Sequence, residues 1–323
     1  MRVAYIGNFR PEHSTENEIR QAWGILGHDV VALQEDEVDW HTLPDQVRDA
    51  DCDLVMWTRT ADLDRVGRDV QMNALGRLED AAVPTVAYHL DRWWGLRREV
   101  DVEGTPFFRC ALVVTADGGH DDRWAALGIN HRWLPPAVSE LECGLGAFRE
   151  ELASDIAFVG SWQGYHREWR HRAALVRCLQ HTWGDRVRFW PEPGQPSVRG
   201  EPLRDLYASV KVVVGDSCLA GGATRYWSDR IPETVGRGGF LVHPYVDGLT
   251  LHFRPGAHLW TWDIGDWTRL RDVVDRFLDD HETRTRVSLA GREHVRRNHT
   301  YTKRMQEIVD LVHAEGYFLR VAS

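Results

Sequence analysis

The sequence predicts an α/β protein of two similar halves, each a parallel sheet covered by helices, with a cleft where the carboxyl ends of the sheets meet. Three observations carry this prediction. The chain has 323 residues, long for one core and comfortable for two, since domains usually hold ~100–200 residues each. Short, nearly continuous apolar runs alternate with amphipathic segments in both halves, and strands that are apolar on both faces belong in a covered parallel sheet. Between the halves, Leu134-Pro135-Pro136 closes the first pattern, and residues 137–154, with Glu140, Glu142, Gly144 and Gly146, read as a connector.

Taken in order, residues 3–7 form an apolar strand ending in glycine, followed by a loop over 8–13. Thr15-Glu16-Asn17-Glu18 has the spacing of a capping box, and Ile19, Ala22, Trp23 and Leu26 share one face of the helix it opens. Gly27 ends that helix and residues 28–33 supply the next strand, which completes a βαβ unit. Further strands are expected at 54–58, 86–89 and 111–115, with a helix carrying Leu63, Val66, Val70 and Leu78 between the first two. In the second half the strands are 155–161, 187–190, 210–215 and 240–243. Trp169, Ala173, Val176 and Leu179 mark one helix there, and Leu270, Val273, Val274, Phe277 and Leu278 mark another after the cap Asp266. Met305, Ile308, Val309 and Val312 mark the last helix.

Composition narrows the function. Hydrophobic content of 43% and charged content of 27% suit a soluble globular protein, and no apolar run approaches the ~20 residues of a membrane span. The apolar start of the chain is too short for a secretory signal and reads as the first strand. The five cysteines are scattered and never in a Cys-x-x-Cys pair, which implies a reducing, cytoplasmic compartment. A net charge of −10 argues against general affinity for nucleic acid, while leaving room for a local basic groove. The 15 tryptophans suit stacking on sugars or bases, although packing is their usual role.

The most informative stretch runs from Ser228 to Val242, SDRIPETVGRGGFLV. It reads as a short helix capped by Ser228, holding Glu233 in its middle and breaking at glycines before an apolar strand. Gly221-Gly222-Ala223-Thr224-Arg225 lies just upstream, so a glycine-rich loop feeds a helix whose N-terminal end attracts phosphate. Glu233 sits where a carboxylate could accept hydrogen bonds from a ribose. A cap, helix and strand of any α/β protein would look the same locally.

This stretch resembles the donor-site signature of GT-B glycosyltransferases, in which an acid, a short helical run, a glycine and a buried strand hold a nucleotide sugar. In retaining members another Glu stands eight positions earlier, where this chain has Arg225. Residues 155–161, 206–214, Gly291-Arg292-Glu293-His294-Val295 and His299-Thr300-Tyr301 are similar, in order, to the donor domain of spore-maturation-type, group 1-like glycosyltransferases. Leu26-Gly27-His28-Asp29-Val30 looks like the acceptor domain of GT-B enzymes, and His13-Ser14-Thr15-Glu16 is similar to glycosyltransferases of actinobacteriophages. The resemblance implies a GT-B fold of two Rossmann-like domains facing across a cleft. Residues 1–138 would be the acceptor domain and 139–302 the donor domain, with a helix in 303–323 a candidate to pack back on the first. It further implies a metal-independent transfer from a nucleotide diphosphate sugar, with a UDP-sugar such as UDP-glucose favoured over a GDP-sugar. A hydroxymethylated pyrimidine in phage DNA becomes a candidate acceptor, the setting being the host cytoplasm; the oligomeric state stays open.

Individual residues follow from these expectations. Lys211, Arg225 and Arg230 are the cations nearest in sequence to the expected diphosphate, and Gly160-Ser161 ends the first strand of the second half. Ser228 and Glu233 complete the donor set. Inverting transfer to a hydroxyl needs a general base. His13, in the loop after the first strand, and Asp91, after the strand ending in His89, form a candidate imidazole–carboxylate pair, the alternative being Asp91 as the base with His13 contacting the donor. Trp93 and Trp94, interleaved with arginines, suit stacking on an acceptor base, and Glu16 and His120 are further acceptor-site candidates and the reserves for the base. No metal site is expected: Asp51-Cys52-Asp53 reads as a turn, and His166 and His171 lack a third ligand. Two other readings stay open, an epimerase or hydrolase on the same scaffold and a protein that binds a sugar or nucleotide without reacting, the latter supported by Arg225 in place of an acid.

Overall fold

The computed structural model of the protein describes residues 1–59, 67–162, 168–219 and 225–317. Leu63, Val66 and His166, and the loop glycines Gly221 and Gly222 with Ala223 and Thr224, lie outside the described residues. In chain order the first elements are β1 (Arg2–Gly7), α1 (Thr15–Ile25), β2 (Asp29–Gln34), α2 (Leu43–Asp49), β3 (Leu54–Trp57) and α3 (Arg68–Asp80). They are followed by β4 (Thr85–His89), β5 (Leu112–Thr115), α4 (Asp121–Ala126) and β6 (His131–Trp133). Next come β7 (Ser154–Val159), α5 (Arg170–Trp183), β8 (Val187–Trp190), α6 (Gly200–Ser209) and β9 (Val210–Val214). The chain continues through α7 (Arg230–Gly236), β10 (Leu241–Pro244), β11 (Trp260–Trp262), α8 (Trp267–Asp279), α9 (His281–Asn298) and α10 (Tyr301–Ala314).

Two compact units result. One contains Met1–Pro135 together with the chain from Tyr301, the other Pro136–Thr300. In the first, six parallel strands run in the order β2-β1-β3-β4-β5-β6. The registers Val3 with Val30 and Val3 with Leu54 put the first strand between its two neighbours. Val55, Ala87 and Val113 are buried at 2% exposure or less, as strands covered on both faces must be. Trp40, Trp57, Phe107, Phe108 and Trp124 fill one side of this sheet. α10 packs against α1, and Arg304, 2% exposed, donates from Nε to the carbonyl of Pro135 at 2.7 Å.

In the second unit five parallel strands run β11-β10-β9-β7-β8, with β9 between β7 and β10. Leu175, Val212, Val242, Val274 and Phe277 form its core. α9 packs on α7, and Gly291 is what allows it: a side chain there would collide with the carbonyl of His258 and meet Val235 Cγ1 at 2.7 Å.

Three local expectations are corrected. The cap of α1 is Ser14 rather than Thr15, its Oγ accepting from Asn17 N at 3.1 Å, so no capping box forms with Glu18. Ser228 does not cap α7: the residue before the helix is Asp229, without a side-chain cap bond, and Ser228 is buried with its own N–H turned to Ser217 Oγ at 3.1 Å. The edge strands β6 and β11, of three residues each, have no counterpart among the expected strands. Asp266 does cap α8, accepting from Arg269 N at 2.9 Å.

Candidate functional site

Ligands of open α/β sheets bind outside the carboxyl ends of the strands, so that edge is where each unit would present a site. In the second unit β7 ends at Val159 and the chain enters Gly160 with φ 139°, a conformation that L side chains rarely adopt. The guanidinium of Arg230, the first residue of α7, lies directly over Gly160, where any side chain would collide with it. The Cδ of Arg230 also passes 3.2 Å from where a Cβ of Gly215 would stand, just beyond β9. Two glycines at the ends of adjacent strands therefore make room for one arginine. Its guanidinium carbon sits 5.8 Å from the centre of the Phe158 ring, and Nε is buried without a hydrogen-bond partner.

Beneath this arginine is a buried charged pair. Arg172 is 4% and Asp216 1% exposed. Arg172 Nη2 reaches Asp216 Oδ1 at 2.8 Å and Nε reaches Oδ2 at 3.1 Å. The remaining terminal nitrogen donates to the carbonyl of Ser161 at 2.9 Å, and the Trp169 ring lies 3.6 Å from the guanidinium carbon. A charge taken this far out of water is tolerated only when fully paired, and here the pairing fixes the backbone that carries Gly160 and Ser161.

Next to the pair runs a hydrogen-bond chain with one possible direction. His243 Nδ1 lies 2.7 Å from the carbonyl of Pro244, which can only accept, so Nδ1 carries the proton. Burial pushes the His243 pKa down to about 4, and the ring is neutral. Its Nε2 must then accept from Ser217 Oγ at 3.0 Å, and Ser217 Oγ in turn accepts from Ser228 N at 3.1 Å. Ser217 is 1% exposed, so its hydroxyl is a buried link of this chain. The chain ties the end of β10 to the residues that enter α7, and so to Arg230. Ser228 Oγ is left buried without a partner beside it.

Glu233 lies one turn into α7, with 17% of its side chain exposed and Arg199 Nη1 3.3 Å away. Arg225 is exposed. Lys211 is a correction. It is the second residue of β9, at the opposite end of the strand from Gly215, half exposed and paired with Asp155 Oδ1 at 2.6 Å. The structure brings Gly160, Ser161, Ser228 and Arg230 together at one edge and leaves Lys211 at the other.

In the first unit the carboxyl edge carries a second group of polar residues. His13 is exposed in the turn before α1 and makes no hydrogen bond or ion pair among the described residues. Asp91 has 64% of its side chain exposed, with Arg98 Nη2 4.0 Å away. The two are not bonded to each other. Asp91 N donates instead to His89 Nδ1 at 3.1 Å, and burial lowers the His89 pKa to about 4. Glu16 is buried at 3% exposure, its Cγ standing 2.7 Å from where a Cβ of Gly7 would be, and Oε1 has no partner. Burial first, with Glu35 adding to it, raises its carboxyl to about 7. Trp93 and Trp94 are 6% and 5% exposed. Trp93 packs edge-on to Phe108 at 4.9 Å and Trp94 to Trp124 at 5.0 Å, so both rings belong to the core rather than to an open stacking platform. Asp51 adopts φ 52° and Asp53 accepts from Arg2 N at 2.8 Å, so the Asp-x-Asp is a turn.

Sequence reasoning passed over Asp117. It is fully buried, two residues beyond β5, and its Oδ2 accepts from the backbone N–H groups of Trp93 at 2.8 Å and Trp94 at 2.7 Å. Burial raises its pKa to about 6. Oδ1 has no hydrogen-bond partner and faces His120 Nε2 at 3.9 Å.

Residues 150–310 match the model of a family described as glycosyl transferase-like. That stretch, just under half of the chain, is a glycosyl transferase-like domain, and the fold is of GT-B type. No curated protein matches it. Among solved structures it is similar to HepE of Anabaena in complex with UDP and glucose, at 11% identity and TM-score 0.59, covering 97% of this chain and 100% of that one. It is also similar to an alpha-glucosyltransferase in complex with UDP-glucose and DNA containing an abasic site, at 10% identity and TM-score 0.64, covering 97% and 99%. A sucrose-phosphate synthase from Thermosynechococcus elongatus matches at 12% identity and TM-score 0.62, covering 98% and 100%. At such identities these structures bear on the fold: two parallel-sheet, Rossmann-like α/β units of GT-B type. No helix among the described residues is long and apolar enough to cross a membrane.

Proposed function

We propose that the chain transfers a sugar from a nucleotide diphosphate sugar, UDP-glucose before GDP-sugars, to an acceptor hydroxyl. The observation that carries this reading is the cradle of the second unit, where Gly160 and Gly215 end adjacent strands under Arg230. The guanidinium offers paired donors to phosphate oxygens, and side-chain-free backbone lets a diphosphate or its sugar approach closely. Glu233, part-exposed on the same helix, is the group to accept hydrogen bonds from a ribose. On this reading arginine and backbone donors meet the diphosphate charge, and the reaction proceeds without added divalent metal. UDP-glucose in the structurally similar HepE and alpha-glucosyltransferase complexes supports the choice of donor. DNA in the latter complexes, together with the similarity of residues 13–16 to actinobacteriophage glycosyltransferases, supports a hydroxymethylated pyrimidine in duplex DNA as acceptor.

The test has two stages. UDP-glucose is expected to raise the melting temperature, and in chelator-treated protein labelled glucose is expected to pass from it to hydroxymethylcytosine DNA. Stabilisation without nucleotide release, with or without acceptor, would make the protein a binder. Release without transfer to any modified duplex would remove DNA as acceptor.

A further inference from the structure

The second unit has a cavity of about 700 Å³ at the amino edge of its sheet. Asp155 of β7 and Val210 and Lys211 of β9 line it, each among the first two residues of its strand. The Gly160–Arg230 cradle stands at the carboxyl ends of the same strands, so the two sites are separate. Three of the exposed large apolar side chains among the described residues stand at this one cavity: Leu145 is 54%, Phe148 66% and Leu289 43% exposed.

The segment that carries Leu145 and Phe148 is tied down. Ala147 N donates to Asp205 Oδ1 at 2.7 Å and Arg149 N to Ser209 Oγ at 2.8 Å, both acceptors belonging to α6. A side chain at Gly146 would collide with the backbone of Arg204 and Asp205, so the segment lies with its backbone directly on that helix, and Leu145 packs over Gly238. Apolar groups already held in place lose little freedom when a partner covers them, and a projecting aromatic ring is the usual anchor of such a contact.

Charge decides which partner fits. Lys211 Nζ and Arg186 Nε reach Asp155 at 2.6 and 2.7 Å, and Arg149 Nε reaches Asp205 at 2.9 Å. Arg284, which also lines the cavity, has Asp280, Asp155 and Asp279 near it. Each of these cations thus faces an acid of its own chain, and no excess of positive charge is offered to a nucleic acid or an anionic membrane. The chain as a whole carries −10, so its copies repel one another in general. A face that meets its own copy must be balanced in sign, because a patch of one charge would repel itself. This face is balanced, and it sets a projecting ring beside a cavity, which makes it complementary to itself.

We propose that the amino edge of the second unit is the contact between two copies of this chain, related by a two-fold axis, with Phe148 of each copy entering the cavity of the other. Gly160 and Arg230, at the opposite edge of the sheet, stay open. Such a dimer forms whether or not the chain binds a nucleotide sugar.

Sedimentation velocity of the full chain between about 1 and about 100 μM is expected to show a monomer–dimer equilibrium, with a melting temperature that rises with concentration. Phe148→Asp removes the projecting ring, and Ala208→Trp fills the cavity from an exposed position on α6. Leu251→Asp changes a side chain that is 67% exposed and does not line the cavity. Each of the first two is expected to raise the dimer Kd by at least about 30-fold, as loss of a central anchor does, and the third to leave it within about twofold. Circular dichroism and urea midpoints of the monomers check that the variants are folded. Because the ring and the cavity are altered separately, either variant suffices if the other does not fold. A wild-type chain that is monomeric throughout, a dimer that a folded Phe148→Asp or Ala208→Trp chain forms as tightly as wild type, or one that Leu251→Asp weakens equally overturns the proposal.

Discussion

Replacing Glu16 with Gln is expected to stabilise the protein at alkaline pH and to change little in acid. The side chain of Glu16 lies across Gly7 at the end of β1, 3% exposed, with Oε1 unpartnered. Burial and the nearby Glu35 raise its carboxyl from 4.5 to about 7. Between those values the folded chain holds a proton that the unfolded chain has released. Stability is therefore complete below the unfolded value and is lost as pH rises through about 7. At 1.36 kcal/mol per pKa unit, the gap corresponds to roughly 3 kcal/mol. Gln carries no proton to lose, so it escapes this penalty while keeping the volume of the side chain. Urea unfolding of the two proteins at about pH 5 and about pH 9 measures the effect. The Gln protein should gain on wild type by about 3 kcal/mol between the two conditions, a value set by the linkage relation. Parallel pH dependences in the two proteins would show that the carboxylate is as well solvated when folded as when unfolded, and the reasoning would fail.

Further outcomes concern the second unit. Gly160→Ala places a side chain against the Arg230 guanidinium at φ 139°; donor affinity should fall at least about tenfold and stability by about 1–3 kcal/mol, read by titration calorimetry and thermal melting. Asp216→Ala strands the buried Arg172 and should cost about 3–5 kcal/mol in urea unfolding, far more than a surface pair. Arg230→Ala should weaken donor binding by about 10- to 100-fold, the worth of a charged hydrogen bond, whereas Lys211→Ala, which breaks only a half-exposed pair with Asp155, should leave both donor affinity and turnover unchanged.

The legible parts of the fold are those whose signal is periodic. Strands such as Leu54–Trp57 and Val210–Val214 are unbroken apolar runs because both faces of a parallel sheet are covered, and amphipathic α8 shows its buried face at Leu270, Val273, Val274 and Phe277. Three-residue edge strands such as His131–Trp133 carry too few residues for any period to appear. The tryptophan pair misled for a different reason. Trp93 and Trp94 are fixed by a carboxylate more than twenty positions away, and no local pattern of aromatic and basic residues distinguishes a loop tied down in this way from an open one.

The site itself was legible where a residue's chemistry and its place on a strand agreed. Gly160 follows directly on β7, and a glycine there is the signal that something approaches closely. Lys211 shows what happens when the second condition is ignored. A five-residue strand spans ~13 Å from first residue to last at ~3.3 Å per residue, so a cation at its second position stands at the amino edge, far from any ligand at the carboxyl edge. The same arithmetic points to the residues that were missed. Asp117 and Asp216 each come two positions after the last residue of a strand, β5 and β9, and each is buried and bonded to the loops that shape its edge. In both units an acid just past a strand end organises its surroundings, Asp117 by holding the Trp93 and Trp94 amides and Asp216 by holding Arg172. An acid so placed is set by the sheet to face the ligand edge, and burial then requires that it be paired. Its partners are therefore the groups to examine first, which is how Asp117 leads to His120 and Asp216, through Arg172, to the backbone beneath Arg230.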